Sequence, residues 1–567
     1  MKKYIAIISV AFALVSCSLK EEFTSYTKNE DYYNNKIQIQ SGINACYSML
    51  RTMYGGNAFW MTTECTTDLM YLNQSTMYNA TLNISPSKPA FASYIWRYSY
   101  QGIMRANAML DACDKALDKG NITQEEALSL KSEAVVLRAY FYYLLTCNFG
   151  DVPFYTETVT EFNREKIASL PRMSADSTRN YLIEELKDYI YPFEYGGQGG
   201  LEFKRSYDPP FENRMGAAAG LMIAAKFCLW NKKWDEAIEI LGHLEDIYGH
   251  YADNPEAFAA DYPLTDVPFS RKFTPESILE MQNEYSEYGV QQTGSIASYA
   301  TPSKSNKSIT VSEGDEGEEE QTEYIVSDNY NNICIPELGK YARIATSARP
   351  TSYYYLTVLS YDSPDLRSGE YSKGSNVARG GSGNLAWRWS GYAADDVVRD
   401  PATREVRWFS TTSSKAIGRP WLGNKFWCPD MYYTLDSNNY KLFRFADALL
   451  MLAEAHLMAG HIDDAMKYLN ITRTRAGLDK LTATSTGGSV DAMMEEIRLE
   501  RARELFGEFQ RKYDLVRWGI WYERTVMYND GMYLPDYIKP YHRYLPIPQD
   551  QVTYSHGALN NDEYQEN

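Results

Sequence analysis

Apolar residues recur every three to four positions through the first 250 residues and again from about 440 to the end, a spacing that predicts helices. Residues 37–54 read as the first helix, stopped by Gly55-Gly56. A second begins near Asn57 and includes Thr63, Glu64 and Asp68. Residues 69–90 break the pattern as a polar loop holding Tyr71, Asn73, Tyr78, Asn79 and Asn83. The period returns over 93–118, with Trp96 and Tyr100 in the stripe. Thr123 and Glu126 have capping-box spacing and open a helix that runs to Cys147 and ends before Gly150 and Pro153. Residues 174–193 form another helix, followed by a glycine-rich break at 196–200.

Two helix pairs follow, at 214–231 with 234–247 and at 444–459 with 462–475. Leu221, Ala225, Leu229, Trp234, Ala237 and Leu241 match Leu449, Ala453, Leu457, Ile462, Ala465 and Leu469 at a constant offset. Small alanines at the crossing points let paired helices approach closely, and Asp235 and Asp463 stand at the second helices' N-termini. The repeat resembles tetratricopeptide units, which bury their faces by stacking. The last strong pattern, 495–521, reads as one helix with an apolar stripe of Leu499, Phe506, Phe509, Tyr513 and Val516. Its carboxylates and arginines recur three and four apart, as in Glu500 with Arg503 and Arg501 with Glu504. It is expected to act as a clamp whose guanidiniums are held by neighbouring elements, the alternative being a solvated, salt-bridged helix.

Between the pairs, residues 249–439 have few helical runs, much Gly, Pro, Ser and Asn, and dense aromatics. An acidic run at 313–323 reads as a solvated loop, since its order does not match an EF-hand. The whole chain carries 48 Tyr and 11 Trp, flat apolar faces suited to binding surfaces. A net charge of -18 argues against nucleic acid or an anionic membrane surface as the main partner.

The N-terminus is a targeting segment: Lys2 and Lys3, a short apolar run at 4–15, then Leu14-Val15-Ser16-Cys17. This resembles a bacterial lipoprotein box, with cleavage before Cys17 and acyl chains such as palmitate on that residue. Lys20-Glu21-Glu22 resembles a surface-export signal of such lipoproteins. The division expected is a signal peptide at 1–16, a lipidated tether at 17–36, a helical scaffold at 37–250 with the loop at 69–90, an irregular insertion at 251–440, and a C-terminal repeat with signature helix and closing segment at 441–567. The seven other cysteines lack CxxC spacing and read as buried small hydrophobes. His456 and His461 are five apart, not helix-face spacing for a shared metal. No GxSxG, HExxH or phosphate loop is present. No catalytic residue, metal or cofactor is expected.

The run Arg444-Phe445-Ala446-Asp447-Ala448-Leu449-Leu450-Met451-Leu452-Ala453-Glu454-Ala455, with Asn470 and Arg473-Thr474-Arg475-Ala476-Gly477-Leu478, resembles the SusD/RagB family of nutrient-binding outer-membrane lipoproteins. Residues 133–155, Asp365-Leu366-Arg367, Glu500-Arg501, Arg503-Glu504-Leu505, Glu508, Arg511, Asp514-Leu515, Arg517-Trp518-Gly519 and Tyr544-Leu545-Pro546-Ile547-Pro548 resemble further family elements in order. The chain departs from the pattern at Ser555-His556-Gly557-Ala558-Leu559-Asn560. The resemblance implies a mainly α, tetratricopeptide-like scaffold with an aromatic-rich insertion. It also implies a non-catalytic, lipid-anchored protein on the cell surface of the outer membrane. Such a protein captures an oligosaccharide and acts as a lid on a SusC-like TonB-dependent barrel transporter.

Ligand contacts in the family come from the loop after the second helix and from the insertion. Those regions offer Tyr71, Asn73, Tyr78, Tyr285, Tyr288, Tyr299, Trp387, Trp389 and Tyr392, each weighed against a role in core packing. Trp96 and Trp518 are assigned to the core, and Arg138, Arg444, Arg501, Arg503, Arg511 and Arg517 to structure. A peptide-binding member of the family, a surface glycoside hydrolase and a protein-binding helical adaptor are the alternatives.

Overall fold

The computed structural model describes residues 32–208, 213–285, 293–301, 345, 347–360, 363–368, 382–386, 420–428, 431, 434–482 and 484–564, with short strands at 309–310, 322–323, 397–399 and 406–409. The leader, Cys17 and the tether through residue 31 lie outside these residues, as does Cys334.

Helix α1 (Lys36–Tyr54) starts where the Asn35 side chain accepts from the Gln38 amide at 3.1 Å. It buries Ile39, Ile43, Cys46, Leu50 and Met53, the apolar positions of its 3.6-residue period. After the short α2 (Ala58–Thr63), α3 (Ala92–Asp118) packs against α1 and against α4 (Gln124–Phe149). The α3–α4 crossing is tight at Gly102, where an added Cβ would lie 2.2 Å from the Phe141 ring. Thr123 and Glu126 form the expected capping box of α4, and every residue from 132 to 149 is buried, making α4 the central core helix. Ser174 caps α5 (Ala175–Ile190).

The two sequence repeats are hairpins: α6 (Ala217–Trp230) with α7 (Trp234–Tyr248), and α9 (Phe445–Met458) with α10 (Ile462–Arg475). Between them in sequence comes α8 (Pro255–Asp261), which packs on α10. Although nearly two hundred residues separate the hairpins, α7 packs directly on α9. Contacts therefore pass in order from α4 through α5, α6, α7 and α9 to α10 and α11 (Val490–Glu504), as in a tetratricopeptide stack. One apolar core runs from α1 to α9, and a second lies among α9, α10 and α11.

Met70–Leu72 (β1), Ser277–Met281 (β2), Ala348–Pro350 (β3), Leu385–Ala386 (β4), Trp421–Leu422 (β5) and Tyr440–Arg444 (β6) are all short strands. β2 pairs antiparallel with β6, Tyr440 opposite Met281 and Arg444 opposite Ser277. Within 262–280, a stretch assigned by composition to the irregular insertion, Tyr262, Leu264, Val267, Phe269, Glu276 and Ile278 are buried. β1 pairs with β3, Met70 opposite Pro350.

The expected single helix over 495–521 is three pieces. α11 ends at Glu504, a turn spans 505–510, α12 (Arg511–Arg517) follows, and α13 (Trp521–Tyr528) begins after Gly519. Gly507 has φ +76° and Phe509 +63°, a left-handed backbone that ends a helix. Helical spacing survives in the sequence because both flanking pieces bury one face, but the chain turns between them. A Cβ at Gly507 would also lie 2.4 Å from the Phe426 ring. Gly507→Ala should therefore lower the thermal midpoint by the equivalent of at least about 1 kcal/mol. Calorimetry reads this directly, and an unchanged midpoint would mean the turn is not held in this shape.

Candidate functional site

The arginine-rich signature is buried, not a binding face. The Arg367 side chain is fully enclosed; it donates to Asp365 through Nε (2.9 Å) and Nη2 (2.7 Å), and through Nη1 to Glu500 (2.8 Å) and Glu504 (3.1 Å). Arg444, at the end of β6, donates to Glu508 at 2.8 and 2.9 Å, to Glu276 at 2.7 Å and to Glu504 at 3.0 Å. Arg475, ending α10, joins Glu276 (2.9 Å) and Glu504 (2.6 Å). Beside this group, Arg501 bridges Asp514 of α12 and Asp447 of α9, and Arg511 makes a forked pair with Asp68 at 2.8 and 2.7 Å. Arg517 pairs with Glu454 and Asp514.

Guanidiniums thus reach across elements rather than along one helix, which is the clamp expected; Arg503 with Glu500, at 3.4 Å, is a pair along α11 itself. Burial alone would raise Asp514, yet Arg501 and Arg517 hold it down to about 2. Burial likewise opposes ionisation of Glu504, but Arg475, Arg444 and Arg367 hold its carboxyl well below the usual range. Arg138 is also structural, donating to Asn107 and to Glu185. Trp96 is core, while Trp518 is only half-buried, its Nε1 donating to Glu454 at 3.0 Å.

A different face gathers loop 69–90, the returning end of the insertion and the segment after α13. The Asn73 amide donates to the Ser347 carbonyl at 3.2 Å, and the Asn73 side chain accepts from the Met532 amide at 3.3 Å. The Ser352 hydroxyl donates to Asp530 at 2.9 Å, and the Tyr353 and Tyr528 rings stack 3.9 Å apart. Backbone pairing of β1 with β3 holds this junction.

The predicted ligand residues divide sharply. Tyr71 is a correction: all three residues of β1 are buried, and Tyr71 is 2% exposed, so its ring serves packing. Asn73 and Tyr78 are exposed on the junction, and one face of Tyr78 is covered by the Lys88 ammonium, 3.5 Å from the ring centre. Tyr285 is half-buried and donates to the Leu435 carbonyl at 2.7 Å. Tyr299 is partly buried against the core. Tyr288, Trp387, Trp389 and Tyr392 lie outside the described residues, as does the acidic run up to residue 321.

Sequence reading missed an aromatic row where the loop runs into α3. The Phe91 amide donates to the Asn79 side chain at 2.9 Å, which fixes the loop against the helix start. Phe91 and Tyr94 stack at 5.6 Å with a 16° interplanar angle, and Tyr94 meets Tyr98 at 5.7 Å. Phe59 of α2 backs the row at 6.0 Å. Tyr94 is 49% exposed. The available signal was an aromatic at every third or fourth position on the outward side of a helix whose inward stripe was already complete. A separate cleft of about 550 Å³ lies between α1 and β2, lined by Tyr47, Arg51, Arg214 and Gln282. Its cations are engaged, Arg51 with the Gln282 and Thr293 carbonyls and Arg214 with Glu133. Among the described residues no three His, Cys, Asp or Glu are grouped to hold a metal ion, and no helix is long and apolar enough to cross a membrane. The six described cysteines are all buried.

A stacked helical-repeat scaffold whose two hairpins are separated in sequence by nearly two hundred residues defines the class. The family described as "SusD family" matches residues 430–564, and that described as "Starch-binding associating with outer membrane" matches 22–182, together more than half of the chain. A SusD-like protein, P25, of Formosa agariphila is 22% identical over 98% of each chain. Surface glycan-binding protein A of Bacteroides thetaiotaomicron superposes with a TM-score of 0.63 at 18% identity, covering 94% of this chain and all of that one. The same protein in complex with laminarihexaose gives 0.61 at 17% identity, covering 93% and 99%. The chain belongs to the SusD family.

Proposed function

We propose that this protein is a non-catalytic, lipid-anchored surface protein that captures an oligosaccharide at the junction of loop 69–90, the insertion and the post-α13 segment. The observation that carries the reading is the row Phe91, Tyr94 and Tyr98, tied to loop 69–90 through Asn79, in which Tyr94 is exposed as Asn73 and Tyr78 of the loop are. Sugar rings offer C–H faces to aromatic planes and hydroxyls to amide side chains, so such a surface binds without a chemical step. The glycan-binding names of similar proteins support the same ligand class. Acylation at Cys17, followed by a tether, would hold the protein at the outer-membrane surface and raise its effective concentration beside a SusC-like TonB-dependent barrel, for which it would serve as the lid.

Affinity electrophoresis against a panel of polysaccharides tests the ligand. Tyr94→Ala with Tyr98→Ala should weaken retention about tenfold; Tyr94→Ala alone should weaken it with little change in thermal midpoint because Tyr94 is half exposed, whereas Tyr98 packs partly on the core and its loss lowers the midpoint as well. Retention of peptides but of no glycan would replace the ligand class. Retention unchanged in the double variant would remove the aromatic row from the site.

A further inference from the structure

The sequence spacing of His456 and His461 speaks against a shared ligand, because residues five apart on one continuous helix point in different directions. The fold reverses that reading. His456 is in the last turn of α9, and His461 is the residue preceding α10, so the interhelical turn folds one back toward the other. The His461 amide donates to the His456 carbonyl at 2.8 Å, closing this turn. Their Nδ1 atoms stand 3.4 Å apart. The His456 ring lies flat on Tyr468, with centroids 5.2 Å apart and an 11° interplanar angle, and the Tyr468 hydroxyl donates to Glu245 at 2.8 Å.

A 3.4 Å separation is long for an N–H···N hydrogen bond. It matches the roughly 3.3 Å edge between two nitrogens bound tetrahedrally to one zinc ion at about 2.0–2.1 Å. His456, but not His461, lines a surface pocket of about 290 Å³ together with Glu245, His250, Asp253, Asp464, Lys467 and Tyr468. Lys467 there is paired with Asp464 at 3.1 Å and Asp253 at 3.8 Å. Carboxylates outnumber that ammonium around the pocket, which favours a divalent cation. Stacking on Tyr468 orients the His456 ring, and closure of the turn fixes the backbone that carries His461, so the pair loses less freedom on binding than two unlinked side chains would.

We propose that His456 and His461 form a two-imidazole chelate for a divalent transition-metal ion of the zinc type at the α9–α10 turn, its remaining positions filled by water. A bound ion would staple the second repeat hairpin at its tip and stabilise the folded chain by mass action. The site is separate from the proposed glycan face, so its test does not depend on that reading.

Calorimetric titration of the whole protein with zinc chloride near pH 7.5 should find one site, and zinc should raise the thermal midpoint. His456→Ala and His461→Ala should each weaken zinc binding at least tenfold and abolish the rise in midpoint. His556→Ala, at an exposed histidine beside Glu165, should leave both unchanged. Circular dichroism on the metal-free variants checks that the hairpin still folds. Absence of zinc binding, or equal binding in His456→Ala and the parent, overturns the proposal and leaves the pair as two neighbouring imidazoles.

Discussion

Replacing Glu504 by Gln is expected to cost about 3–5 kcal/mol of folding stability, the largest single effect among the substitutions considered. Its two oxygens receive three guanidiniums: Arg444 at 3.0 Å and Arg475 at 2.6 Å on one, Arg367 at 3.1 Å on the other. Those arginines come from β6, from α10 and from the insertion segment at 363–368, so one carboxylate ties three separate parts of the chain to α11. Each arginine is buried, and none can turn to water if its partner is lost. The amide of Gln keeps the shape but removes the charge, and its NH2 group must face a guanidinium. Breaking a buried charge group is much costlier than its net contribution to folding, because uncompensated ions remain behind. Denaturant unfolding would read the loss as a fall in midpoint. A change below about 1 kcal/mol would mean that the carboxylates of Glu276, Glu500 and Glu508 redistribute to cover the three cations.

That charged group also shows how far the sequence could be read. The density of Arg, Glu and Asp between 495 and 521 pointed to a clamp, and the side chains do clamp, but the partners could not be named. Charge spacing reports neighbours on the same helix, whereas Glu276, Asp68 and Asp365 reach the site from distant parts of the chain. The helical period failed at 505–510 for a related reason. Phe506 and Phe509 face the core from a turn as well as they would from a helix, and only Gly507 hinted at the left-handed backbone. The repeat was the opposite case. A constant offset between two hairpins encodes the same buried faces twice, so their stacking followed without knowledge of the insertion between them.

The proposed ligand face was the least legible. Tyr71 sits between Met70 and Leu72 in a strand buried on both sides, and a tyrosine in a polar-looking loop carries no mark of which way it faces. Tyr94 and Tyr98 were absorbed into a helix read for its inward stripe. Exposure is set by which neighbours arrive from elsewhere, and the row stays open because α1 and α4 cover the other side of α3.

Lys512→Met is expected to stabilise the protein at neutral pH, with a benefit that fades as pH rises. Lys512 lies in α12, is 2% exposed, and its Nζ has no hydrogen-bond partner among the described residues. The Trp521 ring, 5.3 Å away, gives some attraction for the cation, but not solvation. Burial pushes this amine down to about 7. Nearby His542 is pushed to about 3 by burial first and then by Lys512 and Lys539, so it stays neutral and offers no countercharge. The unfolded chain holds the Lys512 proton up to its ordinary value near 10.4. Between about 7 and that value the unfolded state therefore binds more protons than the folded one, and stability rises with pH. Below about 7 both states are protonated and the full penalty of a buried, unpaired ammonium applies. Methionine fills much the same volume without a charge, so the gain at pH 6.5 should be on the order of 3 kcal/mol. Thermal midpoints of parent and variant should converge between pH 7 and 9.5, the parent rising toward the variant. Midpoints that stay parallel across that range would mean the ammonium finds water or a partner in the folded chain. A variant less stable at every pH would mean that Lys512 contributes through its contact with the Trp521 ring rather than costing the fold a charge.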